Sequence, residues 1–180
     1  MWHLYQFPLC PFSRKVRLLL GEKGIGYQLV SEQPWEQRPA FRDLSPSGQT
    51  PVMRDEDSGL TLNHSTVICE YFEEVEPARP LITGGAADKA EIRRLIAWFD
   101  EQFYLQVGAP LLQEKMLKRL VYRQSPDAAA LRTAMKAANG HLDMIDALLD
   151  HHRWIAGVSL TLADFAAAAH ISVADYLGGI

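Results

Sequence analysis

Everything strand-like in this chain lies ahead of "EPARPLITGG", residues 76–85. Before that stretch, strand-like and helix-like segments alternate. After it, only helix-like segments follow. One layered core does not serve both patterns, so the chain is expected to separate into an αβ domain and an all-α domain. Pro77, Pro80, Gly84 and Gly85 punctuate the junction. The expected boundaries are residues 1–76, a linker over 77–85, and 86–180.

"WHLYQF" reads as a strand from its aromatic and apolar residues. Phe12, Val16, Leu19 and Leu20 recur at helical spacing, and Gly21, Gly24 and Gly26 are read as ending that helix. Ile25, Tyr27 and Leu29 alternate, which predicts a second strand. "PAFRDL" reads as a short helical turn, and "PVMR" and "LTLN" flank the hairpin turn "DEDSG". In "STVICEYFEEV", Val67, Ile68, Tyr71, Phe72 and Val75 share one helix face. The second half predicts helices over 88–107, about 110–124, 127–150 and 162–176. Ile92, Leu95, Ile96 and Phe99 line up in the first of these, and Leu131, Met135, Leu142, Ile145 and Leu149 in the third.

A formal charge of -4 implies no general attraction to nucleic acid or anionic membrane, so neither is an expected partner. No apolar run approaches the roughly 20 residues of a spanning helix, and "MWHLYQF" lacks the basic start of a secretory signal. Two cysteines do not make a disulfide framework, which points to a reducing, cytoplasmic setting. There is no phosphate-binding loop, dinucleotide glycine pattern or zinc spacing, and no metal is expected.

"FPLCPFSRKVRLLL", residues 7–20, sets Cys10 just ahead of the first helix. Free amides at a helix start favour an anion, and Arg14 and Lys15 add charge one turn on, so a thiolate is expected to be stabilised there. Ser13 stands where a redox CxxC pair has its second cysteine. Without that cysteine, Cys10 suits a mixed disulfide with a small thiol; the alternative is a small buried residue beside a helix-start hydroxyl. In "SPSGQTPVM", Gly48 permits a tight turn and Pro51 opens a strand. The isomer of the Thr50–Pro51 bond stays open.

The order of elements, "PLCPFSRKVR", "SPSGQTPV" and the all-α second half resemble the glutathione transferase superfamily along essentially the whole chain. The resemblance implies a thioredoxin-like first domain and a helical-bundle second domain. It implies Cys10 and Ser13 as the thiol-facing groups, and Thr50–Pro51 as a clamp on the backbone of glutathione. It implies thiol transfer or conjugation to a small electrophile, with glutathione as co-substrate, by a homodimer. The family places an acidic residue or glutamine, then serine, at the helix after the hairpin; this chain has His64–Ser65. Ser65 can cap that helix and accompany a ligand carboxylate, but His64 supplies no negative charge for a ligand ammonium. "SLTLADF" matches the family's capping box: Thr161 caps the Asp164 N–H, Asp164 reaches back, and Leu160 and Phe165 form a staple. The superfamily usually continues beyond "DYLGGI" with one or more helices, which makes a truncated sequence one expectation.

"AWFDEQFYLQVGAPLLQEKMLKRL" and "LADFAAAAHISVADYLGGI" also resemble a bacterial branch of transferase-like, FtsZ-localised regulators of cell division that bind the filament without catalysis. On that reading Lys115, Lys118, Arg119 and Arg123 form a contact face for an acidic partner; otherwise they are a solvated helix edge. Cys69 is expected in the core and His151–His152 in solvent. His141 with Asp143 and Asp146 is expected on the surface. Trp98, Phe99, Phe103 and Tyr104 either line an apolar pocket or fill core.

Overall fold

The structure, a computed structural model, describes residues Met1–Ile180. The chain divides into two units, Met1–Leu81 and Ile82–Ile180.

In the first unit β1 (Trp2–Gln6) pairs in parallel with β2 (Tyr27–Ser31). A parallel pair needs a crossover, which α1 (Pro11–Lys23) supplies. β3 (Val52–Asp55) runs antiparallel to β1, and β4 (Thr61–Asn63) antiparallel to β3, giving the order β2-β1-β3-β4. Pro11 opens α1, where a missing N–H leaves no helical bond unmade. Gly21 does not break α1; the helix continues to Lys23 and ends at Gly24, φ 70°. The Ile25 N–H then reaches the Leu20 carbonyl at 2.9 Å, a closure that suits a residue without Cβ. α2 (Pro39–Leu44) buries Phe41, and α3 (Ser65–Val75) packs against α1. Leu4 and Met53 face each other across β1 and β3 and are fully buried, with Val16, Leu19, Leu20, Ile68 and Phe72 also in the core. This is the thioredoxin-like mixed sheet that the resemblance implies. α3 is turned from the predicted face: Val67 and Val75 are exposed, and Ser65, Ile68, Cys69 and Phe72 are buried.

The second unit is helical. α4 (Ala86–Ala97) continues through wider, π-type turns over Trp98–Gly108, one α-turn at α5 (Ala109–Leu111), and π-type turns again over Leu112–Val121. The predicted break between 107 and 110 is absent, because backbone angles at Gly108 and Ala109 stay right-handed. In α geometry the Pro110 ring would crowd the carbonyl four residues back. The Ala109 N–H instead bonds five residues back, to Tyr104, in a wider turn. α6 (Ala128–Leu149) and α7 (Leu162–Tyr176) complete the unit. Asp127 caps α6 by accepting from the Ala129 N–H at 2.7 Å and the Ala130 N–H at 3.3 Å. Phe99 and Phe103 are fully buried core side chains. α7 buries Ala163, Ala166, Ala169 and Ala174, small residues that allow close helix approach.

His141 is a correction. It is buried, not at the surface. The Trp98 Nε1–H donates to its Nδ1 at 3.0 Å, and its Nε2 lies 3.0 Å from Gln106 Oε1. Nδ1 accepts and Nε2–H donates, so the ring is neutral, and burial lowers its pKa. Below the usual histidine range the unfolded chain therefore binds a proton that the folded ring refuses, and stability falls as pH falls. We expect the wild type to lose urea resistance between about pH 7 and 5. His141→Gln should flatten that slope, read as the unfolding midpoint against pH.

Candidate functional site

Three strand ends meet at one edge of the first unit's sheet. β1 ends where β3 begins, since Tyr5 faces Val52, and Asn63 at the end of β4 also faces Val52. The segments that leave this edge carry Cys10, Thr50–Pro51 and His64–Ser65.

Cys10 is the N-cap of α1 and is partly exposed. Its N–H bonds the Phe7 carbonyl at 2.9 Å, and its carbonyl accepts from the Arg14 N–H at 3.0 Å. The thiol donates to the Thr50 carbonyl at 3.5 Å. The Arg14 Nε–H donates to the Pro8 carbonyl at 3.0 Å and so holds the loop before Cys10. Lys15 is fully buried, and Ser13 is enclosed with its hydroxyl unpartnered. Neither shares the exposure of Cys10.

The Thr50–Pro51 peptide bond is cis. Ser45 fixes its approach: the Ser45 hydroxyl donates to the Gln49 carbonyl at 3.0 Å and accepts from the Gln49 N–H at 3.3 Å. Gly48 turns this loop at φ 68°. At α3, the helix cap is His64 and not Ser65. His64 has φ 77°, a region that residues with a Cβ rarely adopt, and no side chain caps the helix. Ser65 is the first helical residue, and its buried hydroxyl has no partner. That hydroxyl and the open amides of the first turn fit a carboxylate. Position 64 offers no anion for an ammonium, so the residues fit one end of glutathione's γ-glutamyl group and not the other.

Two features of this edge escaped the sequence reading. Trp35 packs edge-to-face on Phe7 with centroids 5.0 Å apart, beside the Cys10 loop. Glu32, almost fully buried, receives both arms of Arg38, with Nε to Oε1 at 3.0 Å and Nη2 to Oε2. Their six-residue spacing across a proline turn has no regular period and left no signal.

In the second unit two of the four basic residues, Lys115 and Lys118, are engaged within the chain. The Lys115 ammonium donates to the Leu177 and Gly178 carbonyls at 2.7 and 2.6 Å, closing the end of α7. Lys118 pairs with Glu114 at 2.8 Å. The Asp127 N–H and Lys118 together hold the Glu114 carboxyl below its ordinary pKa. Arg119 and Arg123 are exposed. At the start of α7, Asp164 Oδ2 accepts from the Thr161 N–H and from the Thr161 hydroxyl, each at 2.8 Å. The hydroxyl thus donates to the acid, and Thr161 and Asp164 form the expected capping box at the start of α7. Asp164 Oδ1 accepts from the Ile155 N–H at 2.9 Å.

Comparison with known proteins places this geometry. Residues 9–75 match the family model "Glutathione S-transferase, N-terminal domain", and residues 109–179 match "Glutathione S-transferase, C-terminal domain". The FtsZ-localized protein A of Caulobacter vibrioides (strain NA1000 / CB15N) is 45% identical over 98% of this chain and 78% of its own length. The solved structure of FzlA from C. crescentus superposes with a TM-score of 0.95 at 44% identity, over 99% of this chain and 80% of that one. A glutathione S-transferase from Rhodospirillum rubrum F11 superposes with a TM-score of 0.97 at 43% identity, over 100% of this chain and 81% of that one. The chain belongs to the glutathione S-transferase superfamily.

Proposed function

We propose that this chain is a transferase-fold binding module that docks on FtsZ filaments and regulates bacterial cell division. The observation that carries the reading is the 45% identity, over 98% of the chain, to a protein named for its localisation with FtsZ. The site supports it. The Cys10 thiol is tied to the Thr50 carbonyl, and His64 offers no negative charge to a ligand ammonium. One lost charge-assisted hydrogen bond weakens a ligand by ~1.5–3 kcal/mol, roughly ten- to a hundred-fold.

A second reading rests on Cys10. Its thiol is partly exposed at a helix start, and a relative of equal similarity carries the name glutathione S-transferase. In that reading the chain binds glutathione along the Thr50 backbone and α3, and Cys10 exchanges thiols or favours conjugation to a small electrophile.

One pair of measurements separates the two. The module should co-sediment with polymerised FtsZ, and Cys10→Ala should co-sediment equally well. Absence of the chain from the FtsZ pellet rejects the first reading. Micromolar glutathione binding by calorimetry, with thiol-transferase turnover abolished in Cys10→Ala, would establish the second.

A further inference from the structure

The helical unit carries an exposed apolar patch with basic neighbours and, elsewhere, an apolar groove with acidic ones. The first closes the long helical run of residues 86–121. Arg123, at φ 52°, turns the chain out of the helix, and the Gln124 N–H bonds the Lys118 carbonyl at 2.7 Å. This turn leaves Leu120 77% exposed and Tyr122 50% exposed, between the exposed Arg119 and Arg123. Neither guanidinium has an acidic partner in the chain, while the neighbouring lysines are paired internally. The second patch lies on α6. Leu142, Asp143, Ile145, Asp146 and Leu149 line an open groove of about 320 Å³. Asp143 and Asp146 are three residues apart, so both carboxylates stand on one helix face beside the apolar floor.

We propose that these patches bind each other between copies of this chain. Leu120 of one copy enters the groove between Leu142 and Leu149 of the next, and Arg119 and Arg123 meet Asp143 and Asp146. The contact lies between molecules because α6 separates the patches within one chain. Residue 145 stands 17 residues beyond the start of α6 at Ala128, roughly 25 Å at the helical rise. A second copy is favoured over a foreign acidic protein because the complementary surface is already present on this chain. Unlike surfaces meet, so the contact is heterologous and repeats along an open array unless its rotation closes a ring. It does not depend on the FtsZ reading.

Sedimentation velocity from about 10 µM to about 1 mM is the test, over the range where weak contacts assemble. The wild type should grow with concentration beyond its base state. Arg119→Glu/Arg123→Glu and Asp143→Lys/Asp146→Lys should each stay at the base state, and Leu120→Ser should weaken association roughly tenfold or more. An equimolar mixture of the two charge variants keeps one intact face of each kind, so association should return; contact between two like patches gives no such rescue. Circular dichroism confirms each fold, and Leu120→Ser carries the test if a charge variant fails it. Concentration-independent wild type, charge variants that associate like wild type, or a mixture that stays at the base state would each overturn the proposal. Loss of FtsZ co-sedimentation in Arg119→Glu/Arg123→Glu, with a wild type that does not self-associate, would assign the patch to a foreign partner instead.

Discussion

Lys23→Met should destabilise the first unit by about 3–5 kcal/mol, the usual cost of removing one partner of a buried ion pair. The Lys23 side chain is completely enclosed, and its ammonium sits 2.8 Å from Glu73. It also donates to the carbonyls of Glu76, Ala78 and Arg79 at 2.8, 3.5 and 3.4 Å. The other carboxylate oxygen of Glu73 accepts from the Leu81 N–H at 2.9 Å. One lysine at the end of α1 therefore anchors the segment leaving α3, and the Arg79 guanidinium adds a bond to the Glu22 carbonyl at 2.7 Å. Methionine keeps most of the volume and loses the charge. Glu73 then keeps a buried charge facing an apolar side chain, and three carbonyls lose their donor. Urea unfolding measures the loss. The double variant Lys23→Met/Glu73→Leu should recover much of it, because removing both charges avoids the stranded one. A single variant within about 1 kcal/mol of wild type would show that the ammonium is dispensable.

The sheet and its crossover helix were legible because they follow from period and punctuation. Cys10 at a helix start and Pro51 at a strand start were legible for the same reason. The mistaken faces have a common physical cause. Apolar periodicity ranks residues by size, whereas α3 and α6 bury the side chains that fit. α6 leaves Met135 and Leu149 exposed and buries Ala134, Ala138 and His141. Alanine lets neighbouring helices approach, and His141 is tolerated inside because Trp98 and Gln106 satisfy both ring nitrogens. Adjacent charges in sequence gave no hint that His141 was enclosed. Lys23 and Glu73 are 50 residues apart, and only the meeting of α1 and α3 pairs them. The basic cluster was visible, but Lys115 and Lys118 engage the end of α7 and Glu114, and spacing alone says nothing of that.

Asp164→Asn should cost nearly as much as Asp164→Ala, about 3 kcal/mol in each case, although asparagine is close in shape. The Asp164 carboxylate receives three donors: the Thr161 N–H and hydroxyl on one oxygen and the Ile155 N–H on the other. A hydrogen bond to a charged group contributes ~1.5–3 kcal/mol, and bonds sharing one acceptor do not add fully. Asparagine keeps a single acceptor oxygen. Its amide must then face one of the two backbone N–H groups, donor against donor, at either the α7 start or Ile155. Alanine strands the same donors without that repulsion, but removes every acceptor. Thr161→Val loses only the hydroxyl bond and should cost about 1 kcal/mol, as typical helix-start hydroxyls do. The ordering Asn ≈ Ala, both well above Val at 161, is the signature of a carboxylate that joins α7 to the preceding loop. Asp164→Asn within about 1 kcal/mol of wild type, by denaturant unfolding, would mean that one oxygen suffices and that the Ile155 bond adds nothing to the unit's stability.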